Sequence, residues 1–300
     1  MDAQPPETPL RSVQLVLHYD GARFAGWQRQ PDARTVQGDV EAALARLCAT
    51  PIAVTGAGRT DAGVHALGQA ASVRVPARWT AAALRRALNA VLPGDVWVAA
   101  AHAMRPGFHA RFDATARRYR YLVGTDDGAR SPFRRTREWA YARPIDAALL
   151  DAAADAVVGE HCFRAFAVQG TAPARDDHRC VVREARWTPR AADDATGDAR
   201  GFAFEIEANR FLHHMVRFLV GTALDVASGR RPLADVARLL AAPDNRDVSA
   251  PAPAHALYFA AVRYPEHLYA ADDERSVDPA ARPATAPPAA APPATASAAR

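Results

Sequence analysis

Three hundred residues, 49% of them hydrophobic, suffice for one large folded unit or two ordinary ones. No apolar run reaches the roughly 18–20 residues that span a bilayer, and the first ten residues lack the apolar core of a secretory signal. Cys48, Cys162 and Cys180 show neither CxxC spacing nor a disulfide framework, which suits a reducing cytoplasm, and the net charge of +4 is modest for the chain as a whole.

Residues 1–10 read as a disordered lead. Arg11 to His18 predicts a strand with Val13, Leu15 and Leu17 on one face. Asp20-Gly21 turns the chain into Phe24-Ala25-Gly26-Trp27-Gln28-Arg29-Gln30, a loop dense in aromatic and amide groups. Such a loop can stack on bases, or its Trp27 can close the edge of a core. Thr35 caps a helix running to about Ala49, with Val36, Val40, Ala43, Leu44 and Leu47 on one face.

A short β-type run, Pro51 to Thr55, then leads into Gly56-Ala57-Gly58-Arg59-Thr60-Asp61-Ala62-Gly63-Val64-His65-Ala66. Glycines allow the sharp geometry that holds a polar residue at a fixed angle. Another strand spans Gln69 to Val75, a helix Ala81 to Val91, and a further strand Asp95 to Ala101.

The second part repeats this order loosely. Arg117 to Gly124 predicts a strand, Ile145 to Val158 a helix, and Val181 to Thr188 and Gly201 to Ala208 two strands. Phe211 to Ser228 predicts a long helix ended by Gly229, Pro232 opens a short one, and Ala256 to Val262 is a closing strand. The order is that of an α+β fold: two similar α/β halves, a largely antiparallel central sheet flanked by helices, and a cleft between the halves. The expected divisions are 1–10 for the lead, 11–106 and 107–266 for the halves, and 267–300 for a disordered tail rich in Ala and Pro.

Charge is concentrated in one place. Met104 to Arg143 holds ten Arg against four acids, Asp113, Asp126, Asp127 and Glu138, the footprint of a polyanion binder. Within it, the strand Arg117-Arg118-Tyr119-Arg120-Tyr121 puts Tyr119 and Tyr121 on one face and Arg118 and Arg120 on the other. One face then offers a ring to a base and the other charge to phosphates, or the strand is half-buried with solvated arginines.

Three constellations bear on chemistry. Asp61 is the only carboxylate between Glu41 and Asp95, and Arg59 lies two residues before it. It suits a nucleophile or base kept ionised by that guanidinium, or a turn former in a structural ion pair. His213-His214 sits in a predicted helix, where adjacent residues point about 100° apart and no acid or Cys completes a ligand set, against a metal site. His213 and Arg217 share a helical face, and a buried-side Arg217 needs a carboxylate, for which Asp61 is a candidate. Phosphate-binding GxxxxGK[ST] and GxGxxG motifs and the GxSxG elbow are missing from the sequence.

Gly58-Arg59-Thr60-Asp61-Ala62-Gly63-Val64-His65-Ala66 resembles the signature of the tRNA pseudouridine synthase A family. So do Tyr19-Asp20-Gly21 with Gly26-Trp27-Gln28-Arg29-Gln30, Phe108-His109-Ala110-Arg111-Phe112 with Ala116-Arg117-Arg118-Tyr119-Arg120-Tyr121, and Phe211-Leu212-His213-His214-Met215-Val216-Arg217, in matching order from about residue 11 to 264. The resemblance implies the pseudouridine synthase fold and isomerisation of uridine to pseudouridine at positions 38, 39 and 40 of the tRNA anticodon stem-loop. It also implies a cytoplasmic homodimer that uses no cofactor and no metal. Asp61 matches the family's nucleophile, and Arg217 its basic partner. Tyr119 matches the tyrosine that packs on the target base and helps remove its C5 proton. Arg59 matches the residue linked with flipping the base out, Arg111 a tRNA contact, and Phe108, His109, Ala110 and Phe112 surround that contact. Family behaviour also points to the loop near Gln169, where Gly170 to His178 diverges.

The chemistry agrees with the residues. Breaking N1–C1′ and joining C5 to C1′ involves no redox change, so it needs a carboxylate, a polar pocket and an extruded base. Asp61 can attack C1′, attack C6 or take a sugar proton to give a glycal. Two other classes compete: a non-catalytic tRNA-binding protein on the same scaffold, and a metal-dependent hydrolase using the His pair.

Overall fold

Alternating apolar residues do build the first strand, β1 (Leu10–Tyr19), whose Val13, Leu15 and Leu17 are fully buried. The computed structural model describes residues 9–171, 177–190 and 201–271. The lead up to residue 8, the divergent stretch 172–176, the polar connection 191–200 and the tail from 272 lie outside the described residues.

Helix α1 (Val36–Cys48) starts where the Thr35 hydroxyl accepts the Gly38 N–H at 3.3 Å, and it stops at Ala49, whose φ of 56° is left-handed. Strand β2 is only Thr55–Gly56, shorter than the expected run. Strand β3 (His65–Pro76), helix α2 (Ala81–Val91) and strand β4 (Val96–Met104) complete the first half. The second half contains β5 (Ala116–Gly124), β6 (Trp139–Ala140), α3 (Ala147–Asp155), β7 (Gly159–Cys162), β8 (Arg179–Arg190) and β9 (Gly201–Ala208). It ends with α4 (Met215–Ala227), α5 (Ala234–Leu240) and β10 (Leu257–Arg263). Past the expected boundary at 266 the chain still packs, with Arg105 N–H on the Leu268 carbonyl at 2.9 Å and Ala270 N–H on the Ala103 carbonyl at 3.0 Å.

The α+β reading holds. One open sheet runs β4-β1-β3-β10-β5-β9-β8-β7, with β2 beside β3 and β6 beside β5. Its neighbours are antiparallel except β3/β10 and β5/β6. The final strand therefore inserts between the halves and joins them through only two parallel pairs, Tyr258↔His65 and Phe259↔Ala66. The face carrying Leu15, Leu17, Tyr121 and Ile206 is fully buried. No described helix is long and apolar enough to cross a membrane.

His65 pins this seam. Its Nδ1 accepts the Gly21 N–H at 3.0 Å, its Nε2 lies 3.1 Å from the Thr136 carbonyl and 3.0 Å from that of His255, and its ring stacks on Tyr258. Phenylalanine would keep the stacking and strand those polar groups, each costing about 1–3 kcal/mol when buried. His65→Phe is expected to destabilise folding by about 3 kcal/mol, read by denaturant melts. A change below about 1 kcal/mol would show that these hydrogen bonds contribute little to holding the halves together.

Candidate active site

The β2–β3 connection carries Asp61 directly above the seam. Its path is held by backbone contacts at nearly every step: Ala57 N–H to the Ala70 carbonyl at 2.8 Å, the Gln69 amide to the Gly58 carbonyl at 2.7 Å, and Trp27 N–H to the Thr60 carbonyl at 3.0 Å. Tyr19 and Thr60 share a hydroxyl–hydroxyl bond of 2.8 Å. Trp27 is 2% exposed and lies so close to Gly56 that a Cβ there would sit 2.5 Å from the indole. Of the two readings of Trp27, the structure supports the core, because the indole is the floor beneath the loop.

Around Asp61 three cationic or polar side chains converge from the other half. Arg217 Nη1 donates to Oδ2 at 3.2 Å, His214 Nε2 lies 3.1 Å from Oδ2, and His213 Nε2 lies 3.3 Å from Oδ1. Arg217 Nη1 is also 3.0 Å from His214 Nε2, and its Nε donates to the Ala252 carbonyl at 2.7 Å. Burial holds His214 below its ordinary 6.5, aided by the charges of Arg217 and His213 and opposed by Asp61. A neutral imidazole with its proton on Nδ1 lets Nε2 accept one N–H of Arg217, while the other goes to the carboxylate. Asp61 also faces the first turn of α4, the end at which a helix favours negative charge.

Two expectations change here. The helix begins at Met215, four residues later than predicted, because His214 adopts φ 63° and breaks the helical path. His213 therefore approaches from a turn and does not share a helical face with Arg217. Arg59 does not pair with Asp61: it is exposed and donates to Gln28 Oε1 at 3.1 Å. The fixed cation at the carboxylate is Arg217, from 156 residues away.

The turn also revises the metal argument. Asp61, His213 and His214 offer ligand atoms within 4.8 Å of one another, so an acid does complete the set. However, the Arg217 guanidinium already sits within hydrogen-bond distance of two of those atoms. A dication there must overcome a fixed positive charge, so the arrangement suits a cation-paired carboxylate better than a metal centre.

Tyr119, on β5, is 8% exposed and meets Phe211 and Phe259 edge to face at 4.9 and 4.8 Å. Burial raises its pKa well above 10, with Tyr19 and Asp61 adding in the same direction. It is thus a neutral phenol at pH 7, suited to packing and hydrogen bonding rather than to proton abstraction. Of its neighbours on the opposite face, Arg118 is tied into ion pairs and Arg120 only loosely so. Arg118 pairs with Glu184 and Glu207, both at 3.1 Å, and Arg120 lies 4.0 Å from Glu205. That side of the sheet is a ladder of internal ion pairs.

Exposed charge appears instead on the segment after β4. Arg111 and Phe112 are exposed, His109 stacks on Phe112 at 4.3 Å, and the Arg111 guanidinium lies 5.7 Å from the Phe112 ring centre. Phe108 and Ala110 sit in the core: Phe108 packs on Tyr264, and the Ala110 carbonyl accepts the Tyr264 hydroxyl at 2.6 Å. Both side chains face inward and anchor the segment from below. The loop near Gln169 is tied by its amide to the Arg164 carbonyl at 3.4 Å, and its continuation lies outside the described residues.

Sequence comparison gives the same direction. The family profile described as tRNA pseudouridine synthase matches residues 15–113 and 153–265. A protein of Solidesulfovibrio magneticus named tRNA pseudouridine synthase A is 44% identical over 256 residues, covering 84% of this chain and 90% of its own. Proteins of the same name from Chloroflexus aurantiacus and Escherichia coli O1:K1 are 42% and 38% identical, covering 86% and 88% of this chain and 91% and 93% of theirs.

Proposed function

The chain belongs to the tRNA pseudouridine synthase family, whose members are isomerases acting on tRNA uridine, and from that premise we propose that Asp61 is the group that engages the target nucleotide. The observation that carries this is the placement of one carboxylate between Arg217, His214 and His213 on a loop backed by the Trp27 ring. Attack at C1′, attack at C6 and removal of a sugar proton all begin from an ionised carboxylate, and the Arg217 guanidinium donates directly to this one. Tyr119 packs against the flipped base, Arg217 holds Asp61, and the exposed Arg111 and Phe112, with His109 stacked on the Phe112 ring, grip the RNA strand. Arg59, exposed and tethered through Gln28, stands free of the carboxylate and open to the extruded nucleotide.

The finer assignment rests on the likeness of the four motifs: uridines 38, 39 and 40 of the anticodon stem-loop, a homodimer, and a cytoplasmic enzyme. Tritium release from tRNA carrying 5-tritiated uridine tests the reaction, because forming the C5–C1′ bond expels that hydrogen. Binding without release would favour the non-catalytic alternative. Mapping pseudouridine in tRNA from a deletion strain tests the positions.

Arg111→Ala is expected to weaken tRNA binding and to reduce the slope of log K against log salt by about 0.7–0.9, as one lost phosphate contact does. Filter binding across a salt series measures it. An unchanged slope would remove Arg111 from the phosphate contacts.

A further inference from the structure

The alternation of β5 places Arg117 on the same face as Tyr119, where a charged side chain is out of place. Its guanidinium is half-buried, and every described hydrogen bond it makes ends on a backbone carbonyl. Nη1 donates to Ala114 at 3.1 Å and Asn209 at 2.8 Å, Nη2 to Ala57 at 3.2 Å and Arg111 at 2.5 Å, and Nε to Ala57 at 3.4 Å. Among the described residues no carboxylate pairs with it, and burial lowers its pKa, with the Arg111 charge adding slightly. A half-buried cation without a carboxylate partner carries a desolvation cost, and a guanidinium remains protonated regardless.

What the cost secures is visible in the four acceptors. Ala57 opens the loop that carries Asp61. Arg111 and Ala114 belong to the segment with the exposed Arg111–Phe112 surface. Asn209 leads into the turn that delivers His213 and His214. These segments come from different parts of the chain, and one planar group with five donors in a fixed fork sets their mutual position.

We infer that Arg117 is a positioning residue that registers the RNA-contacting segment against the Asp61 loop and the His213–His214 turn, so that a strand gripped at Arg111 delivers its nucleotide to Asp61. The inference rests on the proposed function. Arg117 itself touches neither the base nor the phosphates. Its loss therefore disturbs the geometry of reaction more than the affinity for tRNA, and displacements of about 1 Å at such sites cost on the order of 10²-fold in rate.

The test compares wild type, Arg117→Lys and Arg117→Ala in the tritium-release assay at saturating and limiting tRNA, with folding checked by thermal melts. Arg117→Ala is expected to lose about 10²-fold in kcat with KM changed less than about threefold. Arg117→Lys, with three donors for four carbonyls, is expected to fall between it and wild type. Low-millimolar guanidinium, at ionic strength matched with sodium chloride, is expected to restore part of the Arg117→Ala rate without helping wild type. A merely structural role would not give that rescue. Should Arg117→Ala fail to fold, the kcat-to-KM split of the lysine variant decides.

A rise in KM at unchanged kcat would make Arg117 an RNA contact and overturn the inference, as would a wild-type rate in both variants. If wild type itself releases no tritium, the functional reading fails instead.

Discussion

Asp61→Asn is expected to reduce turnover by about 10⁴-fold or more, while tRNA binding persists. Asparagine has the shape of aspartate and keeps an oxygen that can accept from Arg217 Nη1, so the loop above the seam stays in place. What disappears is the negative charge, and with it every route that begins from an ionised carboxylate. The cluster of Arg217, His213 and His214 becomes more positive, which a polyanion tolerates or welcomes. Tritium release paired with filter binding reads both quantities. A folded Asp61→Asn protein that no longer binds tRNA would mean that Asp61 is an RNA contact, and the assignment would fall.

Arg217→Met carries the second large effect. The methionine stem keeps the packing of α4, but three acceptors lose their donor: Asp61 Oδ2, His214 Nε2 and the Ala252 carbonyl. Turnover is expected to fall about 10²–10³-fold, the usual loss when a preorganised electrostatic partner is removed, with KM changed far less. Arg217→Lys should recover only part, because an ammonium is a point charge and cannot span acceptors that a planar fork reaches together. Single-turnover rates for the two variants settle the matter. A methionine variant at wild-type speed would take Arg217 out of the active centre.

The sequence places His213 on a helical face with Arg217 but leaves His214 without a partner beyond an unfilled metal set. Read as helical neighbours, the two histidines point apart. Once His214 turns left-handed, both rings swing to one carboxylate, their centres 4.2 Å apart. A polar pair placed just before a buried helix was the available signal, since the first turn of a helix is where unpaired N–H groups and anions meet. Arg117 gave a similar signal, an arginine with the parity of a buried tyrosine.

Local patterns determined much of this protein without help from the fold. Thr35 and Thr80 set the starts of α1 and α2, and the Ala81–Val91 helix follows directly from its apolar spacing and cap. Strand alternation in β1 and β5 chose which side chains are buried, and the loop with Asp61 stood out by its glycines and its lone carboxylate. Each of these depends on residues a few positions apart, where periodicity and capping act.

Tertiary structure decided everything that depends on distant partners. The sequence neighbour Arg59 turns to Gln28, while Arg217 reaches Asp61 across 156 residues. Arg118 looks free in sequence, yet Glu184 of β8 and Glu207 of β9 pair with it once strand order brings these strands beside β5. Trp27 became the floor of the loop because Gly56 leaves room for its ring. The last strand, inserted between β3 and β5, is what brings the two halves together. Charge pairing and ring packing act through space over a few ångströms, so they follow the sheet's order rather than the chain's.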